Sequence, residues 1–481
     1  MTLQDLVRAL RHHDLVADAS HADVALSSIE VDSRLVKPGA LFVAIRGSIA
    51  DGNRFIPQAL QHGAAALVAE QPGETSVPVV VVRDGRRAAQ VIAETWYGQP
   101  TAQLRLVGIT GTNGKTTTTA IMRHLLNQNG DAGSVGTLGA FDGAGDRVDS
   151  SAGSLTTPGP LDLQATFRGL VDRGVRQVAM ETSSHALDQG RLDGITFAAG
   201  IFTNLTREHL DYHGTMEQYR GAKLRLADRV ASDGVLSLNA DDPAWTPLRA
   251  DRRALAWGTA ADADVTVADT IYRASGTRFT LGGRFGTRDT SIPFLGEFNV
   301  ANAASAATVA LGLGMPLDDV VERLATAPQV PGRMERLADA PFTVLRDYAH
   351  TPDAFERVLA MLRPLVPGRL FILFGCGGER DTGKRPIMGR IAAERADRVI
   401  LTSDNPRHED PEKIIDDIVV EMPADSYDRI LDREDAIAHV LRMARPGDTV
   451  LLAGKGHETY QVEGSTHRYF DERAIVRSLL Q

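Results

Sequence analysis

The chain has 481 residues, with 62 Asp and Glu against 52 Lys and Arg, and a formal net charge of -10. That balance excludes a chain-wide binder of nucleic acid or anionic membrane, which would carry a basic excess, but it leaves room for a local basic pocket that takes a small polyanion. At about 150 residues per domain the length implies three domains. A composition of 43% hydrophobic and 24% charged residues is that of a folded protein with a sizeable core.

The single cysteine, Cys376, excludes an intrachain disulfide and a cysteine-rich metal site, and fits a cytoplasmic protein. No apolar run approaches the roughly 20 residues of a membrane span. Leu3, Leu6, Val7 and Leu10 recur at helical spacing, so the N-terminal segment is expected to be a surface helix and not a signal peptide. Short apolar runs at 41–45 and 77–82 read as strands with a helix between them. A helix through Val91 and Trp96 ends before Pro100, which places a first domain at 1–100.

From 101 onward apolar strands (LRLVGIT, QVAMET, FAAGIFTN, GVLSLN) alternate with helical segments, the pattern of a mostly parallel sheet covered by helices. Residues 263–293 differ, with short alternating runs and Gly turns that predict an antiparallel β excursion before an Ala-rich helix over 299–313. The turn at Pro331–Arg333 sets the second boundary, giving a central domain at 101–332 and a last domain at 333–481. In the last domain three strands end in GCGGERD, SDNPRHED and AGKGHE. Ligands of open α/β sheets bind outside the carboxyl ends of strands, so these loops are candidate ligand loops.

The sharpest local feature is Gly111-Thr112-Asn113-Gly114-Lys115-Thr116-Thr117, between a strand and a helix. Its glycines let backbone N–H groups turn toward phosphates. The helix N-terminus and Lys115 add positive potential, and the Thr116 hydroxyl suits a magnesium ion. Ile109 stands where the common motif has its first glycine, so this is a variant phosphate loop. It implies binding of a nucleoside triphosphate but names no reaction.

From this loop onward the chain resembles the Mur ligases, the ATP-dependent amide-bond ligases of peptidoglycan precursor synthesis. The resemblance covers nearly the whole chain. It implies an α/β protein of three domains: an N-terminal uridylate-binding domain, a central P-loop ATPase-type domain with a mostly parallel sheet, and a Rossmann-like C-terminal domain. By resemblance, Glu181 in METSSHAL and His209 in NLTREHLDYHGT are magnesium ligands. Lys223 in YRGAKLRL, which spacing alone would make a surface lysine, matches a lysine carbamylated by CO2. Carbamylation exchanges a cation that repels magnesium for oxygen ligands that attract it. Asn299 and Asn302 match adenine-side asparagines, and Arg333 matches a hinge arginine that meets the γ-phosphate. Asp347, Tyr348 and His350 match the start of the closing C-terminal domain. Ser33 and the run Ser48-Ile49-Ala50 resemble the uridine-diphosphate site. Thr156, Thr157, Ser183, Gln189 and Arg191 resemble contacts to the sugar-peptide.

The added amino acid is read from Asp404-Asn405-Pro406-Arg407, the DNPR motif carried by the family's diaminopimelate-adding members. Meso-diaminopimelate differs from lysine by a carboxylate at its far end. A guanidinium at Arg407 would pair with that carboxylate and repel a bare ammonium. Arg380, Gly454 and Glu458 complete the match, with Glu458 available to the distal ammonium. The expected reaction is ATP-dependent addition of meso-diaminopimelate to the D-glutamate γ-carboxylate of UDP-N-acetylmuramoyl-L-alanyl-D-glutamate through an acyl phosphate, shielded from water by domain closure. The expected partners are these small molecules, with no nucleic acid and no membrane span, and the expected form is a monomer. The competing readings are a ligase adding lysine or D-Ala-D-Ala, a folate polyglutamylating ligase, a P-loop phosphotransferase and a nucleotide-binding module without chemistry. DNPR and Glu458 oppose the first. The N-terminal domain opposes the second, the Lys223 motif and C-terminal loops the third, and the intact Lys115, Glu181, His209 and Lys223 the fourth.

Overall fold

A computed structural model describes residues 1–47, 50–148 and 155–481. It divides into two compact units, one formed by 1–268, 280–288 and 301–324, the other by 269–279, 289–300 and 325–481.

In the first unit a five-stranded sheet runs in the order Val16–Ala19, Val79–Val82, Ala66–Ala69, Ala40–Val43, Ser28–Glu30. All neighbours are parallel except the first pair. Ala40–Val43 and Ala66–Ala69 are buried at every position, as strands covered on both faces must be. Helix Leu3–His12 lays Leu3, Leu6, Val7 and Leu10 on this core beside Ile92 and Val91 of helix Gly85–Trp96. The expected surface helix is therefore present.

The same unit carries a second, larger sheet. Strand Arg105–Thr110 lies at its middle, flanked in parallel by Gln177–Glu181 and Phe197–Phe202. Ala132–Gly136 extends it on one side, Val230–Asn239 and Ala254–Gly258 on the other, all parallel. Phe167, Leu170, Met180, Phe202, Leu226 and Trp245 fill its core. This register sets three carboxyl ends side by side: the Gly111 loop, Glu181 and Thr203. Strands also form over the expected β excursion, as Val265–Arg273, Gly276–Gly283 and Arg288–Ile292, with 269–279 and 289–292 assigned to the second unit. The Ala-rich helix follows as Glu297–Gly312.

The second unit holds a six-stranded sheet ordered Glu335–Ala338, Thr343–Asp347, Thr449–Ala453, Leu370–Phe374, Arg398–Leu401, Tyr427–Arg429. Only the first pair is antiparallel. The three loops expected to hold ligand leave the carboxyl ends of three adjacent parallel strands. A hairpin, Tyr460–Glu463 with Thr466–Tyr469, follows them.

Two buried ion pairs brace this end of the sheet. Arg433 and Glu472 are both fully buried, with Arg433 Nε donating to Glu472 Oε1 at 2.9 Å. Arg433 Nη2 also donates to Ala453 O at 2.9 Å, which ties the C-terminal helix Glu472–Leu480 to the strand end that leads into AGKGHE. Arg346 and Glu335 form the second pair at 2.7 Å. Removing one partner of a buried pair strands the other charge at about 3–5 kcal/mol. Glu472→Ala is therefore expected to lower the unfolding transition of this unit by that amount in calorimetry; an unchanged transition would show that the pair does not hold the unit together.

Candidate active site

The phosphate loop is braced by its neighbours. Gly111 has φ +147°, and a Cβ there would sit 1.8 Å from Thr203 Oγ1, so only glycine fits. The segment after strand Phe197–Phe202 braces the loop. Asn204 O accepts from Thr112 N at 2.8 Å, and Asn204 Oδ1 accepts from Asn113 N at 3.0 Å. Thr203 Oγ1 donates to Asn113 O at 2.7 Å, and Thr112 Oγ1 meets Thr206 O and the Tyr219 hydroxyl at 3.1 and 3.2 Å. Helix Lys115–Leu126 then starts, with Thr116 and Thr117 buried in its first turn. Asn302 Oδ1 accepts from Thr118 Oγ1 at 3.2 Å and lies against Gly114, so one of the two expected asparagines meets the loop. Asn299 belongs to the other unit, where its amide donates to Leu295 O at 2.8 Å.

Two lysines aim at one carbonyl. Lys115 Nζ donates to Gly111 O at 3.0 Å and to Thr112 O at 2.7 Å. Lys223 Nζ donates to the same Gly111 O at 2.6 Å and lies 4.3 Å above the Tyr219 ring. Lys223 is 1% exposed, so the surface-lysine reading of its helix does not hold. The helix turns Tyr219, Ala222, Lys223 and Leu226 inward. Burial pushes the Lys223 ammonium well below the usual lysine range; Lys115 pushes it further down and Glu208 opposes. The dominant influences favour the neutral amine, the form whose lone pair can meet an electrophile.

Glu181 ends its strand buried, and it is not a helix cap. Its carboxylate accepts from Thr137 N at 2.9 Å and from Thr137 Oγ1 at 3.1 Å. His209 sits at φ +54°, ahead of the short helix Leu210–His213, with Nε2 3.9 Å from Glu208 Oε2. Burial lowers its pKa, and the nearby Lys115 and Lys223 act in the same direction. Its ring packs edge-on against His185 at 4.7 Å. Burial and the neighbouring His209 hold His185 down at about 4, so it stays neutral at physiological pH. Among the described residues no three His, Cys, Asp or Glu side chains converge as a ready-made metal cluster. The Thr116 hydroxyl and Glu181 carboxylate are the oxygen donors magnesium prefers. Lys223 would add oxygen donors to these only if its amine were converted to a carbamate.

The expected sugar-peptide contacts come together. Thr157 Oγ1 donates to Glu181 O at 2.9 Å and accepts from Ser183 N at 2.9 Å. Arg191 Nη1 donates to Thr157 O at 3.0 Å, and its Nη2 to Gln189 Oε1 at 2.6 Å. Thr156 Oγ1 lies 3.2 Å from Thr137 Oγ1, whose one proton goes to Glu181. Thr137, Tyr219, Thr203 and Asn204 were not singled out from the sequence. A lone Thr or Asn beside a motif gives no signal until the fold shows what it touches. In the N-terminal sheet Ser33 is buried and donates to Gln58 Oε1 at 2.7 Å. Ala50 O accepts from Gly47 N at 2.9 Å. Ser48 and Ile49 lie outside the described residues.

The second unit gathers the other expected residues. The Arg333 guanidinium stacks 4.6 Å from the Tyr348 ring. Asp347 Oδ2 accepts from Met334 N at 2.7 Å and Oδ1 from Ala349 N at 2.7 Å. His350 Nδ1 lies 2.8 Å from Tyr348 O. Arg407 has φ +53° and its Nη1 donates to Gly378 O at 2.7 Å, not to a surface acid. A Cβ on Gly377 would lie 3.1 Å from Arg407 Nη1 and 3.7 Å from Arg380 Cγ, so the two arginines border one glycine. The hairpin latches the DNPR loop: Arg407 N donates to Val462 O at 3.0 Å, Gly464 N to Arg407 O at 2.7 Å, and Gln461 Nε2 to Asp404 O at 3.1 Å. Asn405 Nδ2 donates to Glu458 Oε2 at 2.9 Å. Gly454 follows directly on strand Thr449–Ala453, and its N–H donates to Asp347 O at 3.2 Å. A cationic arginine pair and an anionic Glu458 thus stand at adjacent strand ends.

Known proteins with this arrangement are numerous. Three consecutive stretches match family models: 25–97 the Mur ligase family catalytic domain, 109–310 the Mur ligase middle domain, and 332–456 the Mur ligase glutamate ligase domain. A UDP-N-acetylmuramoyl-L-alanyl-D-glutamate–2,6-diaminopimelate ligase of Geobacillus kaustophilus is 42% identical over 466 residues, 94% of each chain. A solved structure of a ligase of that name aligns with TM-score 0.67 and 34% identity over 95% of this chain and 94% of the other. The MurF ligase of Thermotoga maritima, solved with ADP, shares the fold at TM-score 0.63 and 21% identity over 89% of this chain and 94% of its own. No helix among the described residues is long and apolar enough to cross a membrane. On these matches over nearly its whole length, the chain belongs to the Mur ligase family.

Proposed function

We propose that this chain is an ATP-dependent ligase joining meso-2,6-diaminopimelate to the D-glutamate γ-carboxylate of UDP-N-acetylmuramoyl-L-alanyl-D-glutamate, acting as a monomer in the cytoplasm. The observation that carries the choice of amine is the pairing of Arg407, in a strained left-handed conformation, with Glu458, joined to the same loop through Asn405. One cation and one anion side by side match the carboxylate and ammonium at the far end of meso-diaminopimelate. Lysine would leave the guanidinium unpaired. Backbone strain of this kind persists where the surroundings enforce it, and here the hairpin enforces it through Val462 and Gly464.

The residues divide the work among three domains, at 1–100, 101–332 and 333–481. Ser33 and the run Ser48-Ile49-Ala50 take the uridine diphosphate. Thr156, Thr157, Ser183, Gln189 and Arg191 orient the sugar-peptide. The Gly111–Thr117 loop and Lys115 cradle the ATP phosphates, with Asn299 and Asn302 on the adenine side and Arg333 on the γ-phosphate. Thr116, Glu181, His209 and a carbamate formed when the neutral Lys223 amine bonds CO2 and loses a proton would hold magnesium. When bound, magnesium supplies positive charge that offsets the repulsion between carboxylate and triphosphate. Lys115 and the loop N–H groups stabilise charge on the phosphoryl group as it passes to the γ-carboxylate, leaving ADP. Asp404, Asn405, Pro406, Arg407, Arg380, Gly454 and Glu458 orient the incoming amine. Its nitrogen attacks the acyl carbon, a proton is lost and phosphate leaves as the amide forms.

Phosphate release with the UDP-sugar-dipeptide, Mg2+-ATP and a panel of amines tests the reading. Release that depends on meso-diaminopimelate and is far slower with L-lysine is expected. Turnover with lysine alone would make this a lysine-adding member, and no amine-dependent release would leave a nucleotide-binding module. In the same assay Arg407→Ala is expected to raise the KM for meso-diaminopimelate by roughly 10–100-fold, the worth of a charge-assisted hydrogen bond at 1.5–3 kcal/mol. Arg407→Lys should recover only part of it, because an ammonium lacks the fork geometry. An unchanged KM in both variants would place the distal carboxylate elsewhere.

A further inference from the structure

Lys455 is the one lysine of the AGKGHE loop, and its place in the site follows from what it touches. Gly456, next to it, has φ +53°, and a Cβ there would lie 2.6 Å from Tyr348 Cβ. The loop therefore turns tightly over Tyr348, and the Lys455 side chain runs inward to zero exposure. Its Nζ donates to Asn405 Oδ1 at 3.0 Å. The same Oδ1 accepts from Val462 N at 3.0 Å. Two donors on Oδ1 fix the amide, so Nδ2 faces Glu458 Oε2 at 2.9 Å. Nζ is itself 3.7 Å from Glu458 Oε2 and 4.0 Å from Asp404 Oδ1. A fully buried cation costs several kcal/mol in lost hydration, so it persists only where acids and oriented dipoles compensate it.

We propose that Lys455 is a positioning residue for amine selection, which through Asn405 aims the Glu458 carboxylate at the distal ammonium of the incoming diamino acid. This rests on the functional reading above for the identity of that amine. Lys455 does not itself meet the substrate: its Nζ is occupied inside the loop. The charged and titratable groups around the pair are few. Glu458 faces Lys455, Asp404 and Arg407, with the Tyr348 and Tyr460 phenols beside it. Lys455 faces Asp404, Glu458, Glu472 and Arg433. Burial pushes the Glu458 carboxyl up, and Lys455 is the largest influence bringing it back down. Without Lys455 the carboxyl would rise and protonate at a higher pH. A protonated Glu458 cannot accept an ammonium as an anion does.

The test uses Lys455→Met, which keeps the length and removes the charge, with Lys455→Arg as the conservative control and Lys455→Gln as a second uncharged variant should the methionine protein fold poorly. The KM for meso-diaminopimelate is expected to rise roughly 10-fold or more in the uncharged variants, with the KM values for ATP and the sugar-dipeptide within about 2-fold of wild type. The acidic limb of kcat/KM for the diamino acid should move to higher pH, and Lys455→Arg should restore most of both. Equal losses for all three substrates, or an unmoved acidic limb, would overturn the proposal in favour of a purely structural lysine. A carboxyl 13C titration of Glu458, assigned by its loss in Glu458→Gln, reads the same link without substrate. An upward move in Lys455→Met supports it, and no move overturns it whatever the kinetics. Failure of the wild-type protein to use meso-diaminopimelate would instead overturn the functional reading and the substrate named here, while the titration still decides the link between Lys455 and Glu458.

Discussion

Two lysine side chains share one backbone carbonyl, Gly111 O, Lys115 at 3.0 Å and Lys223 at 2.6 Å. Two ammonium ions cannot both persist there cheaply: one is fully buried, and like charges in a desolvated place repel by several kcal/mol. Burial and Lys115 both drive Lys223 toward the neutral amine. Lys115, only partly buried, is the cation of the loop suited to phosphate. The parallel register of Arg105–Thr110 with its two neighbours, the glycine at 111 and the brace from Thr203 and Asn204 all serve to place this carbonyl where both lysines reach it.

The second unit applies the opposite device. Around Glu458, groups of opposite charge are set together, with Lys455 Nζ 3.7 Å from Glu458 Oε2. The buried chain from Lys455 through Asn405 to Glu458, and the Arg433 tie to Ala453 O, hold the loops at adjacent strand ends. A net charge of -10 describes the whole chain and not these loops. Arginines bordering Gly377 make a local positive lining within an acidic protein.

Much of this was readable before any coordinates. The phosphate loop carries its own context, an apolar strand before it and a helix after it, and the three C-terminal loops each follow an apolar strand. The β excursion over 263–293 and the N-terminal surface helix were also legible, because periodicity and Gly turns are local signals. The burial of Lys223 was not. On sequence spacing it sits in a polar helix, and only packing of that helix beneath the Gly111 loop takes it out of water. Thr137 and Lys455 were passed over for the same reason. Their roles lie in what they touch, the Glu181 carboxylate and the Asn405 amide, and these are distant in sequence. Arg407 was recognised by its motif, but its left-handed backbone and the hairpin that enforces it were not.

The central claim is that Lys223 works as a carboxylate and not as an ammonium. Carbon-13 NMR of the wild-type protein in 13C-bicarbonate with Mg2+-ATP tests it most directly. The account predicts a slowly exchanging carbamate carbon signal that disappears in Lys223→Met. A wild-type spectrum without that signal, from protein that turns over in the same tube, would contradict it.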